Sequence, residues 1–198
     1  MPCSGTFEAH LTVDAESVER RDAFAALCRE LGVKCVLIQL ARGAHRSQPM
    51  TSSHHAGDLA TIAAEIDRLR ERLVAAGFTV SRVKLEADVT NDGIPVERAG
   101  PPGTYFEFHA KLRFRPVYDF ERLRALCVGA GAHLSRNNIE HDGRFVTLRV
   151  YEAGRDRAQA QFAQLVDTLV GAGHAIASTK AEFTLYDSRV ELDAGWLP

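Results

Sequence analysis

The sequence lacks the features of several specialised protein classes. It has four cysteines, Cys3, Cys28, Cys35 and Cys127, with no C-x-x-C pair and no dense spacing, which excludes a zinc ribbon and a disulfide-stapled framework. No run of about 18 apolar residues occurs, and the start MPCSGTFEAH has no cationic segment followed by an apolar stretch. We therefore expect no membrane association and a cytoplasmic location.

Neither sign of charge dominates the sequence. Lysine and arginine number 24 against 26 aspartates and glutamates, and the formal net charge is −2 with an isoelectric point near 6.4. Such a balance gives no broad attraction to nucleic-acid phosphates or to anionic membranes. The 198 residues are 45% hydrophobic and 25% charged, a composition typical of a globular protein with one sizeable core or two small ones.

The chain repeats itself. The clearest matching pairs are Glu8 and Glu107, His10 and His109, Lys84 and Lys180, and Glu86 and Glu182. The first two pairs are 99 positions apart and the last two are 96 apart, which places the length changes in loops. A stretch rich in glycine and proline separates the copies and breaks regular structure. We predict a first lobe over 1–90, a linker over 91–103 and a second lobe over 104–198.

Each half shows the same order of hydrophobic patterns. In the first half the patterns predict strands at 6–13, 34–40, 48–54 and 79–89, with helices at 17–31 and 58–76. In the second half they predict strands at 105–114, 132–138, 144–151 and 175–186, helices at 118–129 and 155–172, and a hairpin turn at Asp142-Gly143. This is the ferredoxin-like βαββαβ order. The sequence thus predicts an α+β fold, a tandem duplication with pseudo-twofold symmetry and helices on one face of antiparallel sheets.

The strand alternation leaves one polar face on each predicted sheet. In TFEAHLTVD, Glu8 and His10 alternate with apolar residues, and YFEFHAKLR repeats the pattern with Glu107 and His109. The first and fourth strands of this fold are neighbours, so each Glu-x-His should lie beside the Lys-x-Glu of its own half. We expect the two open faces to stack around a polar cleft; a side-by-side eight-stranded sheet and a homodimer are the competing assemblies.

The leading hypothesis is a small enzyme that uses histidine as acid and base on an anionic small molecule, a class that includes phosphorylated compounds. Its catalytic residues are His10, His109, Glu8 and Glu107. The candidate substrate-binding residues are Lys84, Lys180, Lys111, Arg149, His133 and Thr12. The motif HLTV at 10–13 resembles the His-x-Thr motif of the two-histidine phosphoesterases, which implies a hydrolase; the matching HAKL has Lys111 at the hydroxyl position.

Two other functions use the same face. A divalent transition metal held by His10, Glu86, His109 and Glu182 would combine imidazole with carboxylate. That set resembles the paired-module metalloenzymes and implies a lyase or an oxygenase, whereas the leading hypothesis needs no cofactor. The third function is a non-catalytic ligand-binding or assembly module. Proteins that bind a ligand without reacting tend to need an apolar lining. Met50 and Phe145 are the only large apolar groups that we expect on this face, which counts against this function.

Aromatic residues and helix ends complete the sequence-based expectations. An RNA-binding sheet of this topology would carry aromatics where the first strands carry Glu8, His10 and their counterparts, so no nucleic-acid partner is expected. His54 and His55 precede a helix whose backbone N–H groups could bind an anion, but a helix cap by Asp58 is favoured. The single tryptophan, Trp196, is expected to pack over a helix or close one end of the cleft.

Overall fold

A computed structural model describes residues 1–113, 120–137 and 144–195. The first repeat contains β1 (Ser4–Val13), α1 (Val18–Glu30), β2 (Lys34–Leu40), β3 (Ser47–Asp58), α2 (Leu59–Ala75) and β4 (Val80–Asp88). The second contains β5 (Tyr105–Leu112), α3 (Phe120–Gly129), β6 (Ala132–Asn137), β7 (Arg144–Tyr151), α4 (Arg155–Gly171) and β8 (Ile176–Asp187), followed by a 3-10 helix at Val190–Asp193. The duplicated ferredoxin-like order is confirmed. The predicted turn at Asp142-Gly143 and the packing of Trp196 lie outside the described residues.

Side-chain caps fix where two helices of the first repeat begin. The hydroxyl of Ser17 accepts a hydrogen bond from the backbone N–H of Arg20, and the carboxylate of Asp58 accepts from the N–H groups of Ala60 and Thr61. Both residues satisfy donors that the first turn leaves without an intrahelical partner. The favoured interpretation of Asp58 as a helix cap is confirmed.

The eight strands form one closed antiparallel barrel in the order β1-β3-β2-β6-β7-β5-β8-β4. Each repeat contributes four adjacent strands, and the repeats join at two seams, where β2 pairs with β6 and β4 pairs with β8. The sequence led us to expect two sheets stacked across a cleft. The paired edges instead make the two open faces the inner wall of a single barrel, and none of the described strands keeps an unpaired edge.

The register at the two seams shows the symmetry of the duplication. Ile38 pairs with Asn137, which is its own counterpart 99 positions later, and Ala87 pairs with Phe183, its counterpart 96 positions later. A twofold axis that exchanges the repeats therefore passes through both pairs, across the barrel, and exchanges the two barrel ends. The predicted neighbours are also adjacent, since His10 pairs with Lys84 and the matching strands of the second repeat pair in the same way.

The hydrophobic core lies between the outside of the barrel and the four helices. Phe7, Ala9 and Leu11 of β1 are buried there, and in the second repeat Phe108 stacks on Phe162 of α4 with ring centroids 4.8 Å apart. Burying each large side chain of this kind stabilises the fold by roughly 1.5–3 kcal/mol. Because successive strand residues point to opposite faces, this core forces the intervening polar residues into the barrel. In the described part of the chain, no helix is long and apolar enough to cross a membrane.

Candidate functional site

The barrel encloses a cavity of about 460 Å³ that is bordered by side chains from all eight strands. One end of the barrel is open, as the exposure of two side chains there indicates: His54 is 76% exposed and Lys180 is 46% exposed. At the other end, the side chains of Arg82, Asp187 and Asp193 are buried. In the described part of the chain, the open end is therefore the way in for a small molecule, and the volume of the cavity falls within the usual range for ligand pockets.

The two histidines singled out from the sequence face this one cavity. His10 Nε2 lies 3.3 Å from Glu86 Oε2 and 3.4 Å from Glu8 Oε1. His109 Nε2 lies 3.2 Å from Glu107 Oε1 and 3.9 Å from Glu182 Oε2. Each imidazole is thus flanked by the glutamate of its own strand and by the glutamate of the neighbouring strand. The structure brings together the four residues that we predicted to be catalytic.

The second ring nitrogen of each histidine has a fixed contact of its own. His10 Nδ1 lies 3.2 Å from the carbonyl oxygen of Thr51, and His109 Nδ1 lies 3.0 Å from Thr147 Oγ1. A carbonyl oxygen can only accept, so His10 donates from Nδ1 and the ring is held with Nε2 toward the glutamates. These contacts orient both rings before any ligand is present.

Two lysines connect the repeats, because each forms an ion pair with a glutamate of the other repeat. Lys84 Nζ lies 2.7 Å from Glu86 Oε1 on its own strand and 2.7 Å from Glu107 Oε1 of the second repeat. Lys180 pairs with Glu182 at 2.8 Å and, across the repeats, with Glu8. Burial opposes the charge of Lys84, but the carboxylates of Glu107 and Glu86 outweigh it and raise its pKa. Both lysines therefore act first as counter-ions of the glutamates.

The twofold axis brings Glu86 and Glu182 close to each other at the β4–β8 seam. They adjoin the paired residues Ala87 and Phe183, which point outward into the core. Burial and the negative charge of Glu86 raise the pKa of Glu182 to about 7, against the opposing effects of Lys180 and His109. Glu86 behaves in the opposite way. Its burial is outweighed by the charge of Lys84 and the hydrogen bond to His10, and its pKa is lowered. Two equivalent carboxyl groups thus differ in protonation near neutral pH.

His10 is biased toward its charged form. Burial disfavours an imidazolium, but the hydrogen bond with Glu86 and the negative charges of Glu8 and Glu86 outweigh it and raise the pKa of His10 above 6.5. Glu8 is ionised, because His10 and Lys180 outweigh its burial and lower its pKa to about 2. The cavity therefore presents one group that holds a proton and, beside His109, one that exchanges it near pH 7.

The closed end depends on a carboxylate that the sequence analysis missed. Asp193, in the 3-10 helix after β8, lies 3.0 Å from Arg82 Nη1 and 2.8 Å from Arg149 Nη2, and it accepts a hydrogen bond of 2.9 Å from Gln48. Arg82 also bonds to Asp187. The acidic residues of DSRVELD after the last predicted strand were the available signal. Arg149, predicted to bind substrate, instead contacts Asp193 and a glutamate of β5.

The other predicted binding residues fall into two groups. Lys111 borders the cavity, with its ammonium 5.6 Å from the ring centroid of Phe145. Thr12 and His133 are buried but are absent from the described residues that border the cavity. Burial and the charges of two arginines lower the pKa of His133 to about 4. The hydroxyl group of the HLTV motif, on Thr12, therefore does not border the cavity.

Part of the wall is apolar, which the sequence analysis also missed. It consists of Val36, Ile38, Leu40, Met50 and Phe145, and we call these five residues the apolar wall. Only the last two were expected on this face. The alternation of valine, isoleucine and leucine in KCVLIQL predicts the other three once β2 is known to pack its second face on helix α1. The low count of apolar groups was therefore wrong.

The geometry of the proposed metal ligands differs from that of a metal centre. Among the described residues there is no group of three or more His, Cys, Asp or Glu side chains placed to hold a metal ion. Lys84 lies between Glu86 and Glu107, and an ammonium at that point repels a cation. The four candidate ligands are thus interleaved with lysines.

His54 and His55 point in different directions. His54 borders the cavity at its open end. His55 lies on the outside of the barrel, where its Nε2 is 2.9 Å from Ser53 Oγ and its Nδ1 is 2.7 Å from Glu65 Oε2 of α2. The contacts of His55 hold α2 against β3. The two adjacent histidines therefore form no joint site at the helix entry.

The sequence matches no known protein family, and no curated protein matches it. Among solved structures, a monooxygenase described as putative from Fusobacterium nucleatum is 10% identical with a TM-score of 0.36, covering 94% of this chain and 93% of its own. A mutant chlorite dismutase from Candidatus Nitrospira defluvii is 14% identical over 92% of both chains, with a TM-score of 0.33. The acetolactate synthase small subunit from Thermotoga maritima is 14% identical over 92% of this chain and 95% of its own, with a TM-score of 0.31. Likenesses this distant assign neither a family nor an activity.

Proposed function

We propose that the protein is a small enzyme that moves a proton on an anionic small molecule bound inside the barrel. The observation that carries the proposal is the convergence of two imidazoles, each between two glutamates, on one cavity. Convergent ionisable groups in a concave site are the usual mark of an active site.

The two sides of the site divide the roles. His10 holds a proton on Nε2 near neutral pH and donates it to the substrate. Glu182, with His109 beside it, accepts a proton, because its pKa of about 7 lets it exist in both forms under ordinary conditions. The lysines hold the remaining glutamates ionised, so that His10 keeps its proton until a substrate takes it.

The charge of the wall supports an anionic substrate. Among the described residues, six basic side chains border the cavity, Lys34, Arg82, Lys84, Lys111, Arg149 and Lys180, against the five acidic side chains Glu8, Glu86, Glu107, Glu182 and Asp193. In this described part of the wall the cations outnumber the carboxylates by one with every histidine neutral, and protonation of His10 adds a second positive charge. An anion gains from that charge in a site of limited solvent access.

Deuterium transfer tests the proposal without knowledge of the substrate. The protein is incubated in D₂O with a fractionated mixture of small organic acids, and mass spectrometry records any compound that gains mass or is converted. We expect His10→Asn and Glu182→Gln each to slow the conversion by roughly 10²–10⁴-fold. His45→Asn, a change in the exposed loop between β2 and β3, is the matched control. Full activity in both site variants would contradict the proposal.

A further inference from the structure

The apolar wall is separate from the core that holds the fold together. The described core under the helices is built from residues such as Phe24, Ile62 and Phe108, and none of the five wall residues belongs to it. Ile38, Met50 and Phe145 keep part of their surface exposed inside the cavity. Apolar surface left open in a concave site, at a cost in stability, is typical of a ligand contact.

The fold itself does not require this wall. On the matching strand of the second repeat, the counterparts of Val36 and Ile38 are Ser135 and Asn137, and these polar residues also border the cavity. At these two positions, strands of the same role in the same barrel thus carry opposite chemistry. A side chain that only completed the barrel could be polar in both repeats, so the apolar row of β2 points to an occupant.

The apolar wall and the ionisable groups lie on opposite sides of the cavity. Ile38 is on the twofold axis at the β2–β6 seam, and Glu86 and Glu182 flank the same axis at the β4–β8 seam. A compact body that rests on Ile38 therefore presents its far edge to the two glutamates and to His10. Lys111 adds a cation beside the ring of Phe145, so an aromatic surface and a positive charge adjoin each other.

We propose that the cavity takes an amphipathic anion, an aromatic or alicyclic ring system with one carboxylate, and not a sugar phosphate or another highly polar polyanion. The ring lies on the apolar wall, the carboxylate lies near Lys111, and the opposite edge of the ring faces His10. This inference deepens the proposed function and rests on it only for what happens at that edge. Binding itself can be measured without turnover.

Titration with 2-naphthoate tests the inference. The fluorescence of the probe, or the heat of binding, gives a dissociation constant for the wild-type chain, and a hexose 6-phosphate serves as the polar anion for comparison. Ile38→Asn installs the residue that the second repeat has at the same position. Loss of this apolar contact should weaken naphthoate binding by roughly 10–100-fold. Val74→Asn, an exposed apolar position on α2, is the matched control and should leave binding unchanged.

A thermal melt of each variant shows whether it folds. Where Ile38→Asn fails to fold, Phe145→Leu replaces it, and a loss of about tenfold is expected from the smaller, non-aromatic contact. Naphthoate that binds no more tightly than the hexose phosphate, or that binds folded wall variants as well as wild type, overturns the inference. Intact naphthoate binding without any deuterium transfer contradicts the proposed function alone.

Discussion

The two repeats are alike at the centre of the barrel and different at its ends. In both repeats a histidine lies between two glutamates, and a lysine forms an ion pair with a glutamate of the other repeat. Toward the ends the counterparts diverge. Where Glu107 pairs with Arg149 on the neighbouring strand, Glu8 pairs with His54. Arg149 is buried against Asp193, whereas His54 is exposed.

This difference explains why, among the described residues, a symmetric duplication has one end of its barrel closed and the other end open. The axis exchanges the ends of the barrel, so two identical repeats would give two identical openings. Arginine at 149, with Arg82 and the 3-10 helix that carries Asp193, closes one of them. The same asymmetry reaches the centre, since Glu86 and Glu182 have the same place in each repeat but opposite shifts in pKa.

Exchanging the matching lysines for methionine should have the largest effect. Lys84 is 8% exposed in its side chain and holds Glu86 and Glu107, so Lys84→Met leaves two buried carboxylates without this partner and should cost about 3–5 kcal/mol of unfolding free energy. Lys180 is 46% exposed, and water replaces it more easily, so Lys180→Met should cost about 1 kcal/mol or less. Urea denaturation measures both. Equal losses would contradict the asymmetry.

The two glutamates at the β4–β8 seam should respond oppositely to pH. The folded-state pKa of Glu182 is raised from 4.5 to about 7, so its ionisation opposes folding, and this cost appears as the pH rises through that interval. Glutamine cannot ionise, and Glu182→Gln should exceed wild type in stability by about 1–3 kcal/mol near pH 8, with no gain near pH 4.

Glu86→Gln is the matched change in the first repeat. The lowered pKa of Glu86 means that its carboxylate stabilises the fold above pH 4.5 and loses that contribution as the pH falls through the folded-state value. The variant should therefore be less stable than wild type near pH 8. The midpoints of urea denaturation near pH 4 and near pH 8 measure these changes in stability. A Glu86→Gln variant that is more stable than wild type near pH 8 would contradict the opposite pKa shifts of the two glutamates.

The helix starts provide a smaller contrast between the repeats. Asp58 caps α2 with two hydrogen bonds, while the N-cap residue of α4 is Gly154, which provides no side-chain cap. Asp58→Ala should cost about 1 kcal/mol, measured by thermal or urea unfolding. The reverse exchange should bring no gain, because a Cβ at Gly154 would lie 2.3 Å from the carbonyl oxygen of Val96. A stabilised Gly154→Asp would contradict that steric argument.

Much of the fold follows from local sequence pattern. Strand and helix order could be predicted because alternation and helical spacing are properties of neighbouring residues, and the adjacency of β1 and β4 followed from the fold order. Closure of the barrel could not, since the pairing of Ile38 with Asn137 depends on backbone edges whose hydrogen bonds carry no side-chain pattern. The two open faces look the same in sequence whether the sheets stack or close.

The residues of the site could be predicted only where the same residue recurs at matching positions of the two repeats. His10 and His109 stood out because they recur at matching positions, and the structure brings them to one cavity. Asp193 lies past the last matched strand, and Ile38 has the polar Asn137 at its matching position, so the same comparison passed over them. The roles of Lys84 and Lys180 also depend on contacts between repeats, which no single strand reveals.

The most direct test of the account is an NMR titration of the glutamate side-chain carboxyl carbons, with Glu182→Gln and Glu86→Gln used to assign the two signals. We predict that Glu182 titrates near pH 7 while Glu86 stays ionised well below pH 4.5. That pair of values is what would let the cavity both hold and accept a proton near neutral pH. If both carboxyl groups titrate together at or below pH 4.5, the cavity has no proton acceptor poised near neutral pH, and the proposed acid–base chemistry is contradicted.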